Sequence, residues 1–196
     1  MYGISSAATG LLAVILVAGC ADRTPVTVTS PAARNPAHLP GAVACPVRVL
    51  EIVDDRMDPQ TLGEVGGRTV RAPPDAHAWL RGVITGLQQF GVAVQFGEDS
   101  PAAAQAIDAR AELKTAWVAS VTTAKTASVV LTVQYSHADA PLQAVDYRGS
   151  VSRMNWNSSA GEIQGMLDDA FTQVLQQVST DVRALCTQAG ATIASQ

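Results

Sequence analysis

The start of the chain decides where a folded domain can begin. The apolar run Leu11–Val17 is followed directly by Ala18, Gly19 and Cys20. An apolar stretch shorter than the roughly 20 residues of a spanning helix, followed by small side chains and a cysteine, is typical of a cleaved signal peptide that leaves a lipidated cysteine. We therefore predict a lipoprotein signal peptide over residues 1–19 and diacylglycerol on Cys20. A permanent N-terminal anchor or a buried helix is the competing interpretation.

The residue after Cys20 bears on which membrane holds the lipid. In enterobacteria an aspartate at that position commonly causes retention in the inner membrane, whereas this chain has Ala21, followed by Asp22. We predict a lipid anchor in the outer membrane, on its periplasmic face, with retention in the inner membrane as the alternative. Each methylene of the lipid that enters the bilayer contributes about 0.8 kcal/mol to the free energy of membrane binding. The membrane itself is therefore an expected partner.

A proline-rich segment separates the cysteine from the rest of the chain. Residues 20–44 contain four prolines among threonine, serine and alanine, with no sustained helical or strand period. This composition predicts a tether. Residues 45–190 have the usual length of a single domain, and residues 191–196 are expected to form a disordered tail.

The charge of the chain limits its partners. The formal net charge is −4, and lysine and arginine form no run or stripe. A nucleic-acid partner is not expected, because such proteins neutralise phosphates with clustered basic residues.

A long C-terminal helix is predicted from its apolar stripe. The stripe recurs every three or four residues, at Ile163, Leu167, Phe171, Val174, Val178, Val182 and Leu185. Ser159 and Glu162 form an S-x-x-E capping box, so the helix should begin there and run to about Cys186. The stripe fits a short coiled coil or, as we expect, packing on a sheet.

Strands and one further helix account for most of the remaining domain. A helix should run from Asp75 to Phe90 and end at Gly91. Alternating or β-branched residues predict strands at Val47–Val53, Val92–Phe96, Ala109–Val121, Val129–Tyr135 and Val145–Val151. The order β-α-β-β-β-β-α predicts an α+β fold, with two helices on one face of a mostly antiparallel sheet of about five strands.

Several of these features together resemble the YajG-like family of bacterial lipoproteins. The features are Asp54-Asp55-Arg56 after the first strand, Leu62-Gly63 in a glycine-rich loop, Gly91 after a helix, a long β-meander, and Asp181 and Leu185 in a last helix. The resemblance covers the mature domain and implies a periplasmic lipoprotein domain without a particular activity. The layout is also similar to auxiliary lipoproteins of lipid-transport systems. The proline-rich segment and the two cysteines of the mature domain depart from the YajG-like pattern.

Residue types used in catalysis occur without the spacing that catalysis needs. His38, His77 and His137 lack metal-ligand spacing, and no nucleophile elbow, P-loop or dinucleotide fingerprint is present. The doublets Asp54-Asp55 and Asp168-Asp169 fit solvated or ion-paired carboxylates, because neighbouring strand residues point to opposite faces. We expect no enzyme activity, no cofactor and no metal.

Two segments are candidate recognition surfaces. Asn155, Trp156 and Asn157 lie before the last helix, and an aromatic ring flanked by amides suits a sugar or a protein partner. The alternative is that Trp156 closes the core. Asp55 and Arg56, with the glycine-rich loop 63–67, form the second candidate, and a salt-bridged turn is its alternative.

The two cysteines of the mature domain, Cys45 and Cys186, lie near its two ends. An exported protein meets an oxidising compartment, so we predict a disulfide between them. The alternative is a pair of buried free cysteines that behave as small hydrophobic residues.

These observations predict a membrane-anchored periplasmic lipoprotein that acts as a non-catalytic interaction or assembly module and binds a protein of the cell envelope. The alternative is an accessory lipoprotein that binds a lipid or other amphiphile between its helices and sheet for an envelope transport system. A filled core favours the first function, and an apolar cavity favours the second.

Overall fold

The computed structural model describes residues 24–29, 45–97, 106–138, 140–154 and 158–193, with side chains to residue 188. The elements in chain order are β1 (Val26–Thr27), β2 (Val47–Asp54), β3 (Thr61–Val65), β4 (Arg68–Arg71), α1 (Ala76–Thr85), a 3-10 helix (Gly86–Phe90), β5 (Val94–Phe96), β6 (Ile107–Val121), β7 (Ala124–His137), β8 (Ala140–Met154) and α2 (Ala160–Ile193).

An antiparallel meander of β6, β7 and β8 forms the long part of the sheet. The other edge of β6 is shared by two strands, since β2 pairs with its first half and β3 with its second half. Beyond β2 the sheet continues with β5, and beyond β3 it continues with β4 and β1. The sheet of the described residues therefore has eight strands.

The prediction of a mostly antiparallel sheet of about five strands is wrong, because the sheet is mixed. The pairs β1–β4, β2–β5, β2–β6 and β3–β6 are parallel. The chain between β2 and β5 passes through β3, β4 and helix α1, and this long crossover returns it to the end of the sheet where β2 began, so β5 runs parallel to β2. Alternation of apolar residues predicts a strand but carries no information about its direction.

Strands β3 and β4 form a hairpin within the glycine-rich segment that was predicted to be a loop. Gly66 and Gly67 have positive φ angles of 60° and 75°, the backbone that a tight two-residue hairpin turn requires. Strand β1 lies within the predicted tether, where Val26 pairs with Val70 of β4 and is 2% exposed. Part of the proline-rich segment is therefore part of the domain.

The caps predicted for the first helix are confirmed. The Asp75 carboxylate accepts a hydrogen bond of 2.8 Å from the amide of Ala78. The chain leaves the following 3-10 helix at Gly91, which has a φ of 76°.

Helix α2 also begins as predicted, because Ser159 Oγ accepts a hydrogen bond of 3.2 Å from the amide of Glu162. The carboxylate of Glu162 lies 2.7 Å from Nζ of Lys125, whose side chain is fully buried. The helix extends beyond Cys186 to Ile193.

Both helices pack on one face of the sheet and bury the predicted stripe of α2. Trp79 of α1 contacts Phe171 of α2 edge-to-face, with ring centroids 5.5 Å apart. Gly149 of β8 allows α2 to approach closely, because a Cβ at that position would lie 2.0 Å from the carbonyl oxygen of Ala170. In the described residues no helix combines the length and apolarity needed to cross a membrane.

The predicted cysteine pair is present as a disulfide between Cys45 and Cys186, with Cα atoms 5.9 Å apart. Cys45 precedes β2, whose residue Val47 pairs with Ile107 at the start of β6. The disulfide therefore joins the far end of α2 to the sheet end where β6 begins.

A buried polar chain links the meander to α2. The hydroxyls of Tyr135 and Tyr147 lie 2.9 Å apart, and Tyr147 donates a hydrogen bond of 2.7 Å to Asp181. Burial raises the pKa of both tyrosines above the ordinary value of 10.0, since an ionised phenol would lose its hydration.

We expect the free energy of unfolding to fall as the pH rises above 10, because the unfolded chain then releases protons that buried Tyr135 and Tyr147 retain. Below that pH this contribution is fully present. Each tyrosine should account for about 1.4 kcal/mol per pH unit above the unfolded pKa. Urea unfolding at a series of alkaline pH values measures the slope. Tyr135→Phe serves as the matched variant, and an identical slope in the variant would contradict the assignment.

Candidate functional site

The predicted site residue Arg56 is buried and holds the loop between β2 and β3 in place. Its guanidinium donates two hydrogen bonds of 2.7 Å to the carboxylate of Asp54, and its side chain is 4% exposed. It also donates to the carbonyl of Pro59 at 2.7 Å and lies over the ring of Trp79. The interpretation as a salt-bridged turn therefore describes Arg56, with Asp54 rather than Asp55 as its partner.

Asp58 orders the part of the same loop that leads into β3. Oδ1 of Asp58 accepts hydrogen bonds from the amides of Gln60 at 2.9 Å and Thr61 at 3.2 Å. Hydrogen bonds from the Thr61 side chain and the Gln60 backbone hold the pKa of Asp58 below its ordinary value. The loop is thus organised from both ends, and Met57 at its tip is fully exposed.

A groove of about 260 Å³ lies between this loop and residues 114–117 of β6. We call it the loop–strand groove. Its apolar walls include Met57 and Trp117, and Trp117 is 46% exposed. The groove opens on the face of the sheet opposite to the helices.

A bulge in β6 places Trp117 on this face. Alternation of Ala111, Leu113, Thr115 and Trp117 predicts that all four share one face, but the register shifts between Leu113 and Thr115. Leu113 is fully buried in the core, and the extra residue turns Trp117 to the other side of the sheet. Sequence reasoning missed this site residue because a single bulge has no clear signal in the alternation.

The rim of the groove carries more negative than positive groups. Nζ of Lys114 lies 2.8 Å from Asp55 and 2.6 Å from Glu112. Hydrogen bonds to these two carboxylates raise the pKa of Lys114. Arg56 and Asp58 also line the groove, and Arg56 is ion-paired with Asp54. The carboxylates of Asp54, Asp55, Asp58 and Glu112 outnumber the two cations, Arg56 and Lys114, so the rim favours a cation on a binding partner.

The other predicted site residues divide between two places. Cys45 and Cys186 form the disulfide at the far end of the sheet. Cys20 and residues 155–157 lie outside the described residues, so the Asn155-Trp156-Asn157 surface remains a prediction. Among the described residues, no three His, Cys, Asp or Glu side chains are grouped so that they could hold a metal ion.

No family model matches the chain, and no curated protein matches it. Solved structures do match it. Protein XCC0632 from Xanthomonas campestris, described with the family model DUF330, has a TM-score of 0.50 and 13% sequence identity over 87% of this chain and 98% of that chain. The likeness to XCC0632 is one of fold.

Two of the other matching structures are bacterial lipoproteins. A minor lipoprotein from Acinetobacter baumannii has a TM-score of 0.44 and 11% identity over 70% of this chain and 90% of that chain. Lipoprotein GNA1162 from Neisseria meningitidis has a TM-score of 0.35 and 13% identity over 69% of this chain and 99% of that chain. The more specific resemblance to the YajG-like family stays a prediction.

Proposed function

We propose that this protein is a lipid-anchored, non-catalytic interaction module of the bacterial cell envelope that binds a protein partner through the loop–strand groove. Cys20 carries the anchor, and Ala21 favours the periplasmic face of the outer membrane. The apolar start of the chain supports export and lipidation, and the YajG-like resemblance agrees with both. The groove is the observation that supports a protein partner.

The groove suits a protein segment that presents one apolar side chain next to a lysine or arginine. Methionine and tryptophan are frequent at interfaces, the first because it adapts its shape and the second because it buries a large area. The carboxylates of the rim complement the basic residue. Since Arg56 and Asp58 already order the loop, binding costs little further conformational entropy.

The alternative function, an amphiphile carried between the helices and the sheet, has less support. The contact between α1, α2 and the sheet contains large side chains that are at most 2% exposed, including Trp79, Met166 and Phe171. The groove itself has a volume of about 260 Å³, which is below the roughly 300–1,000 Å³ of typical ligand pockets. Its size fits one side chain better than an acyl chain.

A photoreactive amino acid at position 57 tests the proposal in the bacterium that encodes the protein. We expect it to cross-link to one envelope protein, because Met57 is fully exposed beside the groove. The same amino acid at Leu142, which is also exposed but lies on the far part of β8, should not give this product. Mass spectrometry of the cross-linked species identifies the partner.

The affinity of groove variants for the purified partner then measures how much the groove contributes to binding. Trp117→Ala should weaken binding by at least about 30-fold, the effect of losing a residue worth 2 kcal/mol. Met57→Asp should weaken it as well, and a substitution at this fully exposed position leaves the core intact. Leu142→Asp is the matched control. Unchanged affinity in both groove variants, or an equal loss in the control, would overturn the proposal.

A further inference from the structure

Strand β1 ties the domain close to the anchored cysteine. The carbonyl of Thr24 accepts a hydrogen bond of 3.0 Å from Nε of Arg68, and both Val26 and Val28 are 2% exposed. Four peptide units connect Cys20 to Thr24, which limits their separation to about 14 Å in a fully extended chain. The expected tether of residues 20–44 is therefore interrupted by a segment that belongs to the domain.

The contacts of Thr24 identify which end of the sheet lies near the anchor. Arg68 follows the turn of the β3–β4 hairpin, and the amide of Gly66 in that turn donates a hydrogen bond of 3.1 Å to Ser120 Oγ. The next residue, Val121, ends β6 at the tight connection to β7. We call this part of the sheet the anchor end.

Two large apolar side chains are exposed at the anchor end. Val121 pairs with Ala124, which in turn pairs with Met154 at the end of β8. Val121 is 70% exposed and Met154 is 64% exposed. Such residues are unfavourable in water but suited to the boundary between lipid headgroups and acyl chains.

Three basic side chains at the anchor end have partners within the domain, and Arg68 donates to the carbonyls of Thr24 and Ser158. Nη2 of Arg153 lies 2.5 Å from Asp169, and Nζ of Lys125 lies 2.7 Å from Glu162. The two carboxylates weaken the attraction of Arg153 and Lys125 to anionic lipids, so contact with the membrane should depend mainly on the lipid anchor and the apolar side chains.

We propose that the anchor end rests on the bilayer, with Val121 and Met154 inserted at the headgroup boundary and the long axis of the sheet directed away from it. This inference rests on the lipid anchor of the proposed function. Trp117 lies four residues before Val121 on the same strand, which places the groove about 13 Å along the strand from the residue at the headgroup boundary. The partner is therefore a membrane protein whose docking segment lies close to the bilayer.

Depth-dependent fluorescence quenching tests this orientation on the lipidated, full-length mature protein. Val121→Cys and Met154→Cys are labelled separately with an environment-sensitive fluorophore and reconstituted into phosphatidylcholine vesicles that carry nitroxide near the headgroup. Leu142→Cys is the matched control, because Gln143 next to it pairs with Tyr135 at the opposite end of the meander. We expect quenching at the first two positions to exceed the control by at least about threefold, since insertion reaches only roughly 5–10 Å.

A mass measurement of the N-terminal peptide separates the two proposals. If Cys20 carries lipid and the protein floats with the vesicles, equal quenching at all three positions overturns the orientation and leaves the anchor intact. If Cys20 is unmodified, both the anchor and the orientation are wrong. Strong quenching at Leu142 alone would place the opposite end of the sheet on the membrane and also overturn the inference.

Discussion

Replacement of both Cys45 and Cys186 by alanine is expected to lower the free energy of unfolding by up to about 5 kcal/mol. The disulfide joins residues 141 positions apart, and closing so long a loop removes much of the entropy of the unfolded chain. Because whole domains are commonly stable by only about 5–15 kcal/mol, the variant should be close to its stability limit.

Urea unfolding of the wild type and the double variant, each with and without reductant, measures this effect. Reductant should destabilise the wild type to the level of the variant and leave the variant unchanged. A loss below about 1 kcal/mol would show that the bond does little to restrict the unfolded chain, contrary to the chain-entropy argument.

Gly149→Ala should be the most damaging single-methyl substitution we consider, with an expected loss of about 3 kcal/mol or more. Its Cβ would lie 2.0 Å from the carbonyl oxygen of Ala170 and 3.2 Å from Val174. The first of these atoms belongs to the backbone of α2, so the whole helix must shift. Overpacking usually costs about 1–3 kcal/mol and more where the surroundings cannot yield.

Gly161→Ala is the matched control, because it adds the same methyl group to α2 itself. Apart from its chain neighbours and the backbone of its own helix, no heavy atom lies within 4 Å of a Cβ at that position. Alanine favours a helix over glycine, so stability should be unchanged or rise by up to about 1 kcal/mol. Thermal and urea unfolding compare the two variants, and similar results for both would contradict the close approach of α2 to β8.

Helices and strands whose residues show a long periodic pattern could be predicted from the sequence. The apolar stripe and the Ser159 cap of α2, the Asp75 cap of α1 and the three strands of the meander all have local signals. The pairing of Cys45 with Cys186 also followed from their positions near the two ends of the domain and from the oxidising compartment predicted for an exported protein. The helices and strands depend on residues close together in the sequence, and the disulfide was the one pairing open to the two cysteines of the mature domain.

The remainder of the fold depends on contacts that local patterns do not record. Strand β1 has two residues and lies among prolines, so only its pairing with β4 makes it a strand. The direction of β2 and β3 relative to β6 is likewise a tertiary property.

The site was harder to predict than the fold because its residues break the usual rules for their types. Arg56 belongs to the charged class but is buried, since Asp54 and Pro59 satisfy its donors. Trp117 is a large aromatic residue but is half-exposed, since the bulge after Leu113 turns it outward. The sequence therefore predicts Asp55 and Arg56 as a pair, although Asp55 binds Lys114 and Arg56 binds Asp54.

Mechanical load would act on β1 before it reached the rest of the molecule. A pull on the chain before Thr24 is resisted by the two paired residues of β1 and by hydrogen bonds at Thr24, Val28 and Thr29, whose partners are Arg68, Arg71 and Gln164. The chain from residue 24 to residue 44 has 20 peptide units, which span at most about 70 Å when fully extended. Beyond Cys45 the pull reaches β2, which is held on its two edges by pairing with β5 and β6. If a lipid on Cys20 and a partner at the groove pull in opposite directions, release of β1 would therefore lengthen the link between membrane and domain before the larger part of the sheet is loaded.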